Sequence, residues 1–184
     1  MNPSDCTLYS GAAAGAEAAF GEAAERFGLK EVNFTFEGHD DARTRGRYVL
    51  SQVELAKGNV SLQYVSSLMH RVYRDTPQYR RLLASLWHQV SAGSEVFCVG
   101  WIKEDGTVKG GTGWGAELAK LFSKPLYVFD EAKQAWYHWN EGAWEAAGEP
   151  KITSATFTGT GTRCLDDRGK AAIDALFERS FGEG

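Results

Sequence analysis

Apolar and polar positions follow two periods that alternate along this chain. Residues 6–9 form a short apolar run, after which Ala16, Ala19, Phe20, Ala23, Ala24 and Phe27 recur at i, i+3, i+4 and i+7. That spacing predicts a helix with a narrow face of small residues, able to lie close to a sheet, with Gly28 as its stop. Val32-Asn33-Phe34-Thr35-Phe36 alternates and predicts a strand, and the polar residues 37–47 predict a loop. From about residue 47 to 90 the pattern is helical, broken near Gly58-Asn59 and at Asp75-Thr76-Pro77. Pro77 suits the first turn of the last of these helices. Segment 95–102 is almost continuously apolar, as a central strand covered on both faces would be. A charged loop, 103–109, precedes a helix over 116–122, and Pro125-Leu126-Tyr127-Val128-Phe129 predicts another buried strand. Residues 134–150 read as an aromatic hairpin or flap, with 135–139 and 143–145 joined by Asn140-Glu141-Gly142. A last strand over 153–158 leads to a helix capped by Asp166 or Asp167, with Ile173, Leu176 and Phe177 on one face.

Strand, turn and helix in repeated order predict an α/β fold: one domain over residues 1–184, with a mostly parallel sheet flanked by helices. Three glycine-rich turns fall at strand–helix junctions. They are Ser10-Gly11-Ala12-Ala13-Ala14-Gly15-Ala16-Glu17, Gly110-Gly111-Thr112-Gly113-Trp114-Gly115-Ala116-Glu117 and Gly159-Thr160-Gly161-Thr162-Arg163. A turn of this kind presents bare backbone N–H groups at a helix N-terminus, where phosphate binds well. A single one needs glycine for its tight geometry alone. Three on the carboxyl edge of one parallel sheet predict a cleft for a phosphate-bearing small molecule, with Ser10, Thr112, Thr160 and Thr162 as hydroxyl donors.

Composition narrows the partners. With 184 residues, 43% of them hydrophobic and 12% aromatic, the chain can fill the core of one domain. A net charge of −4 argues against a broad nucleic-acid footprint, and the local basic stretch Arg71, Arg74, Arg80 and Arg81 reads as a solvated helix face. Cys6, Cys98 and Cys164 are odd in number, far apart and outside any CxxC, which fits a reducing cytoplasm without a disulfide framework. No apolar run approaches the roughly 20 residues needed to cross a bilayer, so no membrane partner is expected. A homo-oligomer, a dimer or larger, is expected.

At the glycine turns the chain resembles the SLOG superfamily of Rossmann-like proteins, which includes DprA-like, Lonely Guy lysine-decarboxylase-like and molybdenum-cofactor-carrier-like members. The first turn is similar to the family's S-G-G-A-x-G-A-D, with Ala12 in place of the second glycine and Glu17 in place of the aspartate. Gly110 to Gly113 matches its G-G-T-G turn, and Thr158-Gly159-Thr160-Gly161-Thr162-Arg163 resembles A-G-I-G-[ST]-R. In most of the superfamily the G-x-G-[ST]-R unit comes first, whereas here it comes last. The resemblance therefore implies a circularly permuted strand order, with 154–158 beside 6–9. A phage and bacterial subgroup of this order carries a K-P-V-Y-V-F-D strand, which Lys124 to Asp130 matches with Leu126 for the valine. An Arg-Asn pair is expected there before Trp-x-Gln-Val. This chain has Ser85-Leu86 before Trp87-His88-Gln89-Val90.

The resemblance implies binding of a nucleotide-derived ligand: a mononucleotide, ADP-ribose or a cyclic signalling nucleotide, sequestered as an immune signal if the gene is a phage's. The expected binding residues are Ser10, Gly11, Ala12, Gly15, Glu17, Gly110, Gly111, Thr112, Gly113, Trp114, Gly159, Thr160, Gly161, Thr162 and Arg163. Trp114, a large side chain inside a glycine turn, is the candidate for stacking on a base. Glu17 is placed to grip a ribose hydroxyl. Arg163 either pairs with a phosphate or forms a surface ion pair with Asp166 or Asp167. The alternative implied activity is that of a nucleoside 5′-monophosphate phosphoribohydrolase. Lonely Guy enzymes use P-G-G-x-G-T-x-x-E, and Glu117 holds the glutamate position, although Lys109 replaces the proline and Trp114 the threonine. A pterin-type cofactor carrier is the third reading. His39-Asp40-Asp41 fits no metal-ligand spacing, so no metal is expected.

Overall fold

The computed structural model describes residues 1–73 and 76–182. Arg74 of the basic stretch and Asp75 of the expected helix break lie outside the described residues. In chain order the elements are β1 (Thr7–Ser10), α1 (Ala16–Arg26), β2 (Lys30–Thr35), β3 (Arg47–Val49), α2 (Gln52–Ala56), α3 (Asn59–Leu68), α4 (Pro77–Ala92), β4 (Glu95–Gly100), α5 (Thr112–Leu121), β5 (Leu126–Asp130), β6 (Ala135–Asn140), β7 (Ala143–Gly148), β8 (Thr156–Gly161) and α6 (Asp167–Phe181). All eight strands join one sheet in the order β3-β2-β1-β8-β4-β5-β6-β7. The first six strands of that order are parallel, and β6 and β7 continue the sheet as an antiparallel hairpin. This is an α/β architecture of Rossmann-like type.

The last strand lies at the centre of the sheet. β8 pairs with β1 through Thr7 opposite Thr156 and Tyr9 opposite Thr158, and with β4 on its other side. The expected neighbour of 6–9 is therefore the observed one. β4 is buried along its whole length, and its alternating side chains feed two cores. Phe97 and Val99 join Phe157, Phe20 of α1 and Phe177 of α6 on one face, while Val96 and Cys98 join Leu83, Leu86 and Trp114 under α4 and α5 on the other. Each fully buried leucine or phenylalanine contributes about 1.5–3 kcal/mol. Among the described residues no helix is long and apolar enough to cross a membrane.

Two local expectations need correction, and one open alternative resolves. Residues 47–49 form a short edge strand rather than the start of a helix; all three are exposed, so no burial pattern marks them. The aromatic segment is a sheet-edge hairpin, not a flap: Lys120 of α5 sits 3.6 Å from the Trp139 ring centroid and the Trp144 indole donates to the Gly106 carbonyl. Gly159, Thr160 and Gly161 belong to β8 itself, so the third turn starts only at Thr162.

Glycine is required in β8 by close packing. A Cβ on Gly159 would lie 2.5 Å from the Phe20 ring, and one on Gly161 2.4 Å from the Val99 carbonyl oxygen and 2.8 Å from the Ala16 Cβ. The small face of α1 thus rests directly on the strand. Gly159→Ala is expected to lower stability by about 1–3 kcal/mol through overpacking. Urea denaturation checks this, with a lower midpoint and an unchanged slope; an unchanged midpoint would show that the contact is slack.

Candidate functional site

A cavity of about 270 Å³ opens where the carboxyl ends of β1, β8 and β4 meet α4. Its lining comes from three chain segments that follow strands and from one helix. Ala13 and Glu17 come from the first turn and the start of α1, Trp101, Lys109, Gly110, Gly111 and Thr112 from the segment between β4 and α5 and the start of α5, and Thr160, Gly161, Thr162 and Arg163 from the end of β8 and the turn after it. α4 closes the remaining side with Tyr79, Leu82, Leu83, Leu86 and Gln89.

The first turn is already occupied by a carboxyl of its own. Glu17, in the first turn of α1 and 8% exposed, accepts from the Ala13 N–H at 3.0 Å and from the Thr160 hydroxyl at 2.9 Å. The side-chain amide of Gln89 is its third hydrogen-bonding partner. Burial pushes the Glu17 carboxyl above its ordinary range, and these hydrogen bonds together with nearby His39 only partly offset that. Ser10, Gly11, Ala12 and Gly15 consequently do not line the cavity. The Ser10 hydroxyl donates to the Gly159 carbonyl at 2.7 Å, and Ala12 is held at a φ of 61° by an N–H bond to Asn33. Gly11 leaves the space into which Gln89 and Glu17 reach, since a Cβ there would lie 2.3 Å from Gln89 Nε2.

The second turn is open. The N–H groups of Gly110, Gly111 and Thr112 precede or begin α5 and donate to no described residue, and the Arg163 N–H is likewise without a described acceptor. Gly110, Gly111 and Thr112, at the positive end of α5, and Arg163 all line the same cavity. Arg71 fixes the turn from behind: its guanidinium donates to Gly110 O at 3.1 Å, Val108 O at 2.8 Å and Thr107 Oγ1 at 3.0 Å. Gly113 leaves room for that clip, because its Cβ would meet Val108 O at 2.1 Å and an Arg71 nitrogen at 2.5 Å. Arg71 is thus structural rather than part of a solvated face. Arg163 is exposed and forms no ion pair or side-chain hydrogen bond with a described residue, Asp166 and Asp167 included. Asp166 instead caps α6 through the Gly169 N–H.

Two singled-out residues sit elsewhere. Trp114 is 2% exposed and packs in the core, its ring 5.8 Å from that of Tyr73. The reason is that α5 begins at Thr112, so Trp114 belongs to a helix face turned toward α4 rather than to a loop. Glu117 pairs with Lys120 at 2.7 Å and does not line the cavity. Gly159 lies under Phe20, and Gly113 under the Arg71 clip. The sequence reading missed Trp101, Lys109 and the α4 wall. The signal for α4 was there: Gln89 interrupts the apolar stripe of Leu82, Leu83, Leu86 and Val90, and a polar residue on a buried face needs a polar neighbour. Compared with protein-family models, with curated proteins and with solved structures, the chain gives no match.

The chemistry on offer is a cavity with two unlike ends. One end holds free N–H groups, Arg163 and Lys109, the latter 5.2 Å from the Trp101 ring centroid. The other holds the Glu17–Thr160–Gln89 cluster, and the wall between is apolar. The burial of Glu17 has a measurable consequence. Its unfolded-state value is near 4.5 and its folded value is higher. Between the two, the folded state holds more protons than the unfolded chain, so the Glu17 contribution to stability falls as pH rises through that window. Glu17→Gln removes that loss. Denaturation curves should therefore show stability shifting in favour of the variant, relative to wild type, as pH rises from 4.5 upward. A difference that stays flat with pH would mean that the carboxyl is not desolvated.

Proposed function

We infer that the protein binds a small phosphorylated ligand derived from a nucleotide, with its phosphate on the Gly110-Gly111-Thr112 turn. The observation that carries this reading is the set of unpartnered donors at one end of the cavity: three N–H groups at the start of α5, the Arg163 N–H and the Arg163 guanidinium. A helix N-terminus with free N–H groups and a bidentate arginine favours a phosphate over a carboxylate or a neutral group. Tyr79, Leu82, Leu83, Leu86 and Trp101 offer the flat and apolar surface that a base needs. At about 270 Å³ the cavity is at the small end of ligand pockets, which supports a mononucleotide over a dinucleotide or ADP-ribose. The resemblance to the SLOG superfamily leads to the same ligand class.

A second reading is enzymatic and rests on Glu17 instead of Glu117. A buried carboxyl whose pKa is raised by desolvation, placed beside a bound sugar, is suited to general-acid assistance of base departure. Multiple-turnover release of free base, lost in Glu17→Gln, would select this reading over simple binding.

Calorimetric titration with nucleoside monophosphates tests the binding site. Arg163→Ala should weaken binding by about 1.5–3 kcal/mol, the usual worth of a hydrogen bond to a charged group. Gly111→Val should abolish binding while leaving the fold intact, because a Cβ at Gly111 meets no protein atom within 4 Å and the added side chain occupies ligand space. Wild-type affinity in both folded variants would remove the phosphate from this turn.

A further inference from the structure

Gln89 was not expected to take part in any site, yet its position is unusual. It is 2% exposed, lines the cavity, and its side-chain oxygen accepts no hydrogen bond from a described residue. A buried amide oxygen without a donor costs about 1–3 kcal/mol unless something supplies one. The amide nitrogen faces Glu17, so the oxygen remains available.

No described neighbour supplies that donor. The Thr160 hydroxyl proton goes to Glu17, the Ala13 N–H goes to Glu17, and Glu17 itself has acceptor capacity beyond the bonds it receives. The floor of the cavity is therefore a cluster of acceptors side by side. Whatever occupies it must present two adjacent hydrogen-bond donors. A phosphate or a carboxylate is disfavoured there, because it would bring further acceptors to the Gln89 oxygen and the Glu17 carboxyl.

Chain geometry says how far those donors lie from the phosphate. Thr160 touches the floor, while Thr162 and Arg163 belong to the phosphate end, only two and three residues further on. At about 3.3 Å per residue the two ends are separated by roughly 7–10 Å of extended chain at most. The 2′,3′-hydroxyls of a ribose lie within such a distance of its own 5′-phosphate. The amino edge of a base lies beyond the sugar and reaches the apolar wall instead.

We propose that Gln89 and Glu17 form a clamp for a vicinal diol, so that the site takes ribonucleotides and rejects their deoxy counterparts. The proposal rests on the phosphate-binding reading above and adds the sugar to it. The Gln89 oxygen accepts from one hydroxyl and Glu17 from the other, while the Gln89 amide nitrogen keeps Glu17 in place.

The test is calorimetric titration of the full chain with ribonucleoside 5′-monophosphates and with their 2′-deoxy and 3′-deoxy forms. Wild type should bind the ribo form at least tenfold more tightly than either deoxy form. Gln89→Leu should lose that preference while retaining affinity for the deoxy forms, and Gln89→Met serves the same purpose if the leucine variant does not fold. Equal affinity of wild type for ribo and deoxy forms would overturn the clamp and leave the phosphate site standing. A ribo preference that survives in a folded Gln89 variant would also overturn it. Absence of binding by every nucleotide tested would overturn both the clamp and the function on which it rests.

Discussion

The close approach of α1 to the central strand β8 is the contact on which the rest of the structure depends. Ala16 and Phe20 rest on Gly161 and Gly159 with no room for a Cβ between them. The Ala16 N–H donates to the Thr162 carbonyl at 2.9 Å, which fastens the start of the helix to the end of the strand. This brings Glu17 onto Thr160, and Glu17 in turn holds the Ala13 N–H and the Gln89 amide. Separate α1 from β8 by the width of a methyl group and the floor of the cavity comes apart. The first and third glycine segments are thus bound to each other.

That binding divides the work between two helix N-termini. The start of α1 carries its own carboxylate, and its field is met inside the protein. The start of α5 has no acidic side chain in its first turn and leaves its donors free. In the proposed reading the phosphate therefore goes to the start of α5, whose N–H donors are free, and not to the start of α1, where Glu17 already holds the Ala13 N–H. The same arrangement keeps Glu17 desolvated, because the apolar wall of α4 and the sheet edge exclude water from it. A polar network around β2 supports the arrangement from outside. Buried Glu31 pairs with Arg43 and Arg45, and the N–H groups of Ala42 and Arg43 hold the Ala12 carbonyl.

Much of the fold was legible in the chain because burial follows period. The continuous apolar run of β4, the small-residue face of α1 and the proline at the start of α4 all appear where their patterns place them. The central position of β8 came from the order of motifs, not from periodicity. Elements without a burial signal were not legible: β3 is three exposed residues, and the hairpin β6–β7 gave no hint of whether it joined the sheet. The site was half legible. Glycine turns indicated the strand edge, but glycine serves close packing as readily as ligand approach, and Gly113 and Gly159 serve packing. Trp114 shows the same limit, since a shift of the helix start from 116 to Thr112 moves it from a loop to the core. Trp101 entered the site through the placement of the end of β4 at the sheet edge, which no local spacing encodes, while Gln89 was marked in the sequence only as a polar break in the apolar stripe of α4.

The central claim is that the free N–H groups at the start of α5 receive a phosphate. Amide-resolved NMR titration with a ribonucleoside 5′-monophosphate reads those groups directly. The account predicts saturable shifts that are largest at the amides of Gly110, Gly111, Thr112 and Arg163, with the Ala13 amide, bound to Glu17, moving little. Saturable shifts centred elsewhere, or unchanged amides at these four residues while the nucleotide binds, would contradict it.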